Sequence, residues 1–348
     1  MRHRLLEHLA CPACGDGGLT LETQQAEELQ TWHGQWESEG RDDRGVHVEE
    51  RRITDIVEGA LHCACGQVYA IREGIPRMLP TDYAGGRPSG HRWAEFDGSL
   101  PEYEANFADM AHPLERSDFT GKLVLDAGCG FGRHAFFAAR YGAEVVALDN
   151  SDDAVASARR NTSGLSRVHV VQGDVLRPPL PRDHFDLVYS YGVLHHLSYP
   201  NDAFRQLAGV VKRGGKLQVW VYGPRAGTPA IVSGALHGAA ANMTDETLHA
   251  FSHAIASGLR LFSHTPYRLL GHVPVLGSVL SHLPAHDHHR WPFEVVVADI
   301  YDRFRVPVQH YFPGEEVEVC FADAGFADIR VSRRVRNAES FRGIGTRR

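Results

Sequence analysis

Residues 122–150 read KLVLDAGCGFGRHAFFAARYGAEVVALDN. Leu123, Val124 and Leu125 form an apolar strand, and Asp126, Gly128, Gly130 and Gly132 interrupt it. Ala135, Phe136, Ala138 and Ala139 follow with helical periodicity, and a second apolar strand ends at Asp149. Glycines at that spacing let the backbone approach a ligand closely, with the positive end of the next helix pointing at it.

Downstream the alternation continues. Strands are expected at 122–126, 144–149, 167–172, 185–191 and 215–222, with helices at 132–141, 152–161 and 201–211. This is the pattern of a doubly wound parallel α/β sheet. A helix at 314–324 and strands near 327–333 and 338–344 would complete seven strands. Residues 223–300 break the pattern: they are rich in Gly, Ala, His and Leu, helical in 245–262 and broken at Pro266, Pro274 and Pro284. Such a helical insertion after the fifth strand is expected above the carboxyl ends of the strands.

Upstream, residues 1–80 hold Cys11-x-x-Cys14 and Cys63-x-Cys65 around a charged insert, 22–58, whose large anchors are Trp32 and Trp36. The insert reads as a long, weakly packed excursion. Residues 81–118 read as a linker with Gly85, Gly86, Pro88, Ser89 and Gly90, then a helical lid bearing Trp93, Phe96, Tyr103 and Phe107. The third region, 119–348, carries the alternating elements.

At 348 residues, 43% hydrophobic and 23% charged, the chain can bury a sizeable core. A formal net charge of −7 disfavours a general attraction to nucleic acid or to an anionic membrane, so the expected partner is a small molecule. No apolar run reaches the roughly 20 residues of a membrane helix, and the opening MRHRLLEHLACPAC meets cysteines where a signal peptide would be apolar. A cytoplasmic location is expected. Paired cysteines, with Cys129 and Cys320 apart, suit reduced thiols and a metal better than disulfides. The oligomeric state is left open.

Strand, glycine turn, helix and acid also describe a dinucleotide site. A hydride-transfer fingerprint, G-x-G-x-x-G/A, counted from Gly128 would place a small residue at 133, where Arg133 stands. The string is instead D-x-G-x-G-x-G, followed by VALDNS, by QGDV around Asp174, by FDLVYSYGVLHHL (185–197) and by KRGGKLQVWVY. In that order these motifs resemble the class I S-adenosylmethionine-dependent methyltransferases over about residues 120–223. The resemblance implies a seven-stranded Rossmann-like sheet and adenosylmethionine as cofactor. It implies that Asp126, Gly128 and Gly130 form the turn at the methionine part, and that Asp149 accepts the ribose hydroxyls. Asp174 would bond the adenine amine, with Asn150 and Val175 flanking the ring, and Tyr191 and Gly192 would border the sulfonium. Arg133 is either a partner of the methionine carboxylate or a solvated first-turn residue.

Methyl transfer needs in-line approach, exclusion of water, and a base where the nucleophile carries a proton. His195 and His196, after the fourth strand, are the candidate bases, with scaffold as the alternative role. Tyr222, His310 and Tyr311 are candidates to line the acceptor site. Cys11, Cys14, Cys63 and Cys65 are candidate ligands of a tetrahedral structural zinc. Together with QVYAIREGIP (67–76) they resemble the zinc-ribbon activator domain that accompanies some tRNA and protein methyltransferases. A histidine cluster, His282, His286, His288 and His289 with Asp287, has metal-like composition but reads as an exposed loop, and Arg290 as an alternative substrate contact. The basic tail, Arg333, Arg334, Arg336, Arg342, Arg347 and Arg348, reads as a solvated strand edge more than an RNA surface. The expected function is methylation of a small molecule at oxygen, nitrogen or carbon. The alternatives are tRNA or protein methylation, and a non-catalytic adenosylmethionine-binding partner.

Overall fold

A computed structural model of the chain describes residues 1–33, 49–80, 82–83, 101–224, 236, 238–240, 243–305, 310–333 and 340–348. The linker glycines 85–90, and with them Trp36, Trp93, Phe96, Arg334 and Arg336, lie outside the described residues, as do the side chains of Trp32 and Asp287. Two units emerge: Met1–Pro88, Trp93–Pro224 and Gln309–Arg348 form one, Ser89–Arg92 and Arg225–Val308 the other.

The first unit contains two sheets. After a short 3-10 turn at His3–His8, β1 (Thr20–His33) pairs antiparallel with β2 (Glu49–His62), then β3 (Val68–Arg72) and β4 (Ile75–Pro76) complete a four-stranded sheet. The described parts of the charged insert, 22–33 and 49–58, are therefore two long strand arms paired with each other. Its sequence lacks apolar alternation because β1 is exposed along most of its length, and backbone pairing with polar cross-strand contacts holds it. Thr54 Oγ1 donates to Glu28 Oε1 at 2.8 Å, and His62 Nε2 meets Glu22 Oε2 at 2.9 Å.

The helices α1 (Pro101–Ala111) and α2 (Arg116–Phe119) precede the larger sheet. Its strands are β5 (Leu123–Ala127), β6 (Glu144–Asp149), β7 (Val168–Gln172), β8 (Phe185–Tyr191), β9 (Val211–Tyr222), β10 (Phe326–Arg333) and β11 (Ser340–Arg347), in the order β10-β11-β9-β8-β5-β6-β7. α3 (Arg133–Arg140), α4 (Asp152–Thr162) and α5 (Pro200–Val210) link the parallel strands β5 to β9. Val145, Val146, Ala147 and Leu148 are all buried, as a parallel strand covered on both faces requires. The seven strands are present, but the sheet is mixed: β11 runs antiparallel to both β9 and β10. Only residues 334–339 separate β10 from β11, too few for the dozen or so residues of a parallel crossover.

The edge strand β7 is covered by the N-terminal segment. Met78 N donates to Gln172 O at 2.8 Å, and Arg77 bridges Gln172 in parallel register. Arg2 donates to the carbonyls of Leu165 (2.6 Å) and Val168 (2.7 Å), and Arg159 pairs with the buried Asp55.

In the second unit, α6 (Asp245–Leu259) runs through one π-turn at Arg260–His264 into α7 (Thr265–Leu270), followed by α8 (Pro274–Leu280) and α9 (Phe293–Arg305). Leu248, Ala256, Val296, Val297, Ile300 and Tyr301 form its core. The last helix of the first unit is α10 (Gly314–Asp323). No helix among the described residues is long and apolar enough to cross a membrane.

Candidate functional site

The glycine turn leaves β5 through three residues of positive φ: Gly128 at 85°, Gly130 at 52° and Gly132 at 84°. The N–H groups of Gly128 and Cys129 both donate to Leu148 O, at 2.8 and 3.0 Å, which ties the turn to β6. A Cβ at Gly128 would lie 2.2 Å from Val193 Cγ2, and one at Gly132 would lie 2.9 Å from Ala158 Cα on α4. Glycine is thus required here by both torsion and space.

Asp149, at the end of β6, accepts Gly130 N at 3.0 Å through Oδ2 and Ser151 N at 2.9 Å through Oδ1. Burial pushes its carboxyl up from the ordinary range, and these N–H groups oppose the shift. Asp174 and Val175 are buried nearby, with Asp174 Oδ1 capping Leu176 N at 2.9 Å. Asn150 Nδ2 donates to Tyr83 Oη at 2.8 Å. Burial raises the Tyr83 phenol, and the negative charges of Asp174 and Asp149 raise it further, so Tyr83 shares the corner of both carboxylates. Tyr83 stands in the linker, where no local pattern marks it.

Asp126 is buried under the turn. Desolvation pushes its carboxyl up to about 7, against the neighbouring Tyr189 hydroxyl, which lowers it. Tyr189 stacks on Tyr191 at 4.7 Å, and Tyr191 Oη donates to Gln218 Oε1. Gln218 Nε2 in turn donates to Ala111 O (2.8 Å) and His112 O (3.0 Å), fixing the end of α1 to β9. Gly192, with φ 79°, donates its N–H to Trp220 O at 3.1 Å. The Arg133 guanidinium lies over the rings of Tyr103 (5.4 Å) and Phe131 (5.3 Å), which holds it at the turn beside α1.

His195 is fully buried in the 3-10 turn after β8, and its Nδ1 accepts the Tyr222 N–H at 3.3 Å. Burial holds its pKa well below the ordinary value. A neutral ring with Nδ1 engaged carries its proton on Nε2, which makes His195 a donor and not a base. His196 is half-buried, 4.2 Å from the His195 ring. His310 N donates to His195 O at 3.1 Å, and Phe312 N donates to Tyr222 O at 2.8 Å. The segment after the insertion thus returns to the carboxyl end of β8 and β9. His310 Nε2 meets Glu316 Oε1 at 2.8 Å, an aligned imidazole–carboxylate pair, and Tyr311 is exposed beside it.

In the N-terminal sheet, the Sγ atoms of Cys11, Cys14, Cys63 and Cys65 all lie within 4.8 Å of one another, with Cys11–Cys65 at 3.7 Å and Cys14–Cys63 at 3.5 Å. Four thiolates at a zinc–sulfur distance of about 2.3 Å sit at tetrahedral edges of about 3.8 Å, so the quartet fits a structural zinc with no open position. Burial raises the Cys11 thiol, but the Tyr69 hydroxyl 3.1 Å away and the N–H groups of Ala13 and Cys14 bring it down to about 7. His282, His286 and His289 turn their Nδ1 atoms to the carbonyls of Ser278, Leu283 and His286, while His288 stacks on Trp291 at 3.8 Å. These rings do not converge on a common point. Sequence reasoning also missed a polar knot where the N-terminal segment meets the core: His8 and His169 both reach Glu144 Oε1, at 3.2 and 3.1 Å. Arg4 Nε occupies the same oxygen at 3.0 Å, and His184 reaches His8 Nδ1 at 2.9 Å.

Residues 125–219 match a family model described as a methyltransferase domain, and residues 2–74 match one described as Trm112p-like protein. The mitochondrial ubiquinone biosynthesis O-methyltransferase of Schizosaccharomyces pombe is 37% identical over 107 residues, covering 30% of this chain and 39% of the relative. The ubiquinone biosynthesis O-methyltransferase of Xanthomonas euvesicatoria is 33% identical over 133 residues, covering 36% and 54%. Among solved structures, magnesium protoporphyrin IX methyltransferase from Synechocystis PCC 6803 superposes with a TM-score of 0.40 at 17% identity, covering 71% of this chain and 84% of that one. The chain spans about half the length, or less, of the curated relatives it matches. The core, with its glycine turn and acid-ended strands, is thus a methyltransferase domain by its match, and the same polypeptide carries a Trm112p-like segment.

Proposed function

We propose that the chain transfers a methyl group from adenosylmethionine to a small-molecule acceptor. Oxygen is favoured over nitrogen and carbon because two relatives are named as O-methyltransferases. The observation that carries the reading is the meeting of two sets of residues. Gly128, Asp149, Asp174 and Tyr83 line one corner at the carboxyl ends of β5 to β7, while His196, Tyr222 and His310 gather at the same ends of β8 and β9. Ligands of open α/β sheets bind along that edge.

Bound adenosylmethionine supplies a methyl carbon already activated by its sulfonium. The chain has to hold the cofactor, exclude water and move one proton. Asp149 has lone pairs left for two ribose hydroxyls after accepting Gly130 and Ser151. Asp174 Oδ2 and Tyr83 hold the adenine side, and Arg133 holds the methionine carboxylate. On the acceptor side, His310 serves as base: with its Nε2 proton donated to Glu316, its Nδ1 lone pair is free to take the acceptor's proton. His195 positions the site by fixing Tyr222 N and the His310 backbone. The Trm112p-like segment acts on its own core, since Arg2 and Asp55 are engaged with β7 and α4. We place the protein in the cytoplasm, where the cysteine quartet stays reduced.

Incubation with methyl-labelled adenosylmethionine and a panel of phenols and hydroxylated metabolites tests this. The proposal expects label in the extractable small-molecule fraction, reduced by His310→Ala. Label only in precipitable RNA or protein would replace it with the macromolecular alternative.

A further inference from the structure

Arg133 opens α3, a place where a cation is electrostatically disfavoured, because the amino end of a helix carries partial positive charge. The first turn of α3 holds no acid, and its N-cap, Gly132, supplies no side-chain acceptor. The Arg133 guanidinium is half-buried, and among the described residues it makes no hydrogen bond and no ion pair. The Asp126 carboxyl beneath the turn, raised mainly by burial, is lowered in part by this charge, yet the two do not pair. A guanidinium offers a planar fork of N–H donors that matches a carboxylate, so an anion arriving at the turn meets an uncommitted partner.

Aromatic rings hold the side chain in place. Arg133 Cζ lies 5.4 Å from the Tyr103 ring centre and 5.3 Å from that of Phe131, and these two rings meet edge to face at 5.8 Å. Both cation distances fall inside the reach of about 6 Å at which a ring attracts a guanidinium. Phe131 belongs to the glycine turn itself, whereas Tyr103 is brought to it by α1.

The register of α1 places Tyr103 there. Tyr103 and Phe107 stand one turn apart and share a face of the helix. Phe107 is fully buried and packs on His134 at 5.7 Å and on Phe137 at 6.4 Å, both in α3, so the ring one turn earlier falls at the start of α3 over Arg133. The far end of α1 is anchored in the sheet. Arg342 Nη1 donates to Asp109 O at 2.6 Å, in addition to the bonds from Gln218 to Ala111 and His112. The last carbonyls of a helix lack intrahelical partners, so these bonds fix where α1 ends. Anchored there and pinned by Phe107, the helix holds the Tyr103 ring in one position, 3% exposed.

We infer that Tyr103 is a positioning residue: its ring, with that of Phe131, holds the Arg133 guanidinium at the glycine turn to receive the methionine carboxylate of the cofactor. This rests on the adenosylmethionine reading above and names how the methionine end is recognised. Calorimetry of the full chain with adenosylmethionine, and with decarboxylated adenosylmethionine, which lacks only the carboxylate, tests it. Arg133→Met is expected to weaken adenosylmethionine at least about tenfold and Tyr103→Leu at least about fivefold, with the decarboxylated ligand changed by less than about twofold in either. Tyr103→Phe keeps the ring and is expected to match the wild type. Tyr103→Leu/Arg133→Met is expected to bind no more weakly than Arg133→Met alone, because the ring acts only through the guanidinium. Unchanged affinity in Tyr103→Leu, or an equal loss for both ligands, would overturn the inference. An equal loss in Tyr103→Phe and Tyr103→Leu would assign the effect to the hydroxyl and overturn it as well. A wild type that binds neither ligand would instead overturn the cofactor reading on which the inference rests.

Discussion

Gly128→Ala is the most informative single change in the glycine turn, because its two costs can be separated. The residue has φ 85°, where an L side chain costs about 1–2 kcal/mol. The added methyl would lie 2.2 Å from Val193 Cγ2 and 3.0 Å from Cγ1, against a comfortable carbon–carbon separation of about 3.5–4.0 Å. Relieving that overlap requires a shift of more than about 1 Å in the β8 turn, an overpacking cost of about 1–3 kcal/mol. Together these destabilise the core by about 2–5 kcal/mol, a fall in melting temperature on the order of 10 °C. Val193→Ala removes both clashing methyl carbons, so Gly128→Ala/Val193→Ala is expected to melt above the sum of the two single effects, leaving mainly the torsional cost. Thermal melts of the four proteins, with and without adenosylhomocysteine, form a double-mutant cycle. The single variant is also expected to lose most of its ligand-induced stabilisation. An unchanged melting temperature, or a double variant showing simple additivity, would refute the packing argument for the turn.

Elemental analysis is expected to find one zinc per chain, and Cys14→Ser or strong chelation to lower the melting temperature of the N-terminal sheet; a folded, metal-free protein would remove the zinc. The knot of Glu144 with Arg4, His8, His169 and His184 should make stability fall in acid. The Glu144 carboxyl is pushed up by burial but driven well below its ordinary 4.5 by His169, His8 and Arg4, so the stability it contributes is lost as pH drops through and below that value. Burial lowers His169 and His184 below 6.5, so the unfolded chain takes up protons first and stability declines from about that pH downward. Melting curves between pH 8 and 4 check this, with Glu144→Gln flattening the lower part of the profile; a flat wild-type profile would contradict it. His310→Ala is expected to reduce kcat by about 10²–10⁴ with adenosylhomocysteine affinity unchanged. His195→Ala should instead cost about 1–3 kcal/mol of stability, by removing the buried ring that accepts the Tyr222 N–H. The reverse pattern would return the base role to His195.

The parts legible in the sequence are those whose physics is local. The glycine turn could be read because positive φ and close approach restrict the residue type within five positions, and β5 and β6 because strands buried on both faces carry continuous apolar runs. The cysteine quartet was visible in its spacing alone. The remainder depends on partners far apart in sequence. Tyr83 meets Asn150 from 67 residues away, and His8 meets Glu144 from 136 away. The tautomer of His195 follows from the Tyr222 N–H, 27 positions on. The arms of β1 and β2 were hidden because a strand exposed along its length has no hydrophobic alternation to read. The reversed direction of β11 lay in a loop length, not in any residue pattern.

Titration calorimetry of adenosylhomocysteine against the wild type and Asp149→Ala tests the central claim most directly. Two charge-assisted bonds to the ribose, at about 1.5–3 kcal/mol each, predict one site per chain and an affinity reduced by at least about 100-fold in the variant. Absence of binding by the wild type, or equal affinity in the two proteins, would contradict the account.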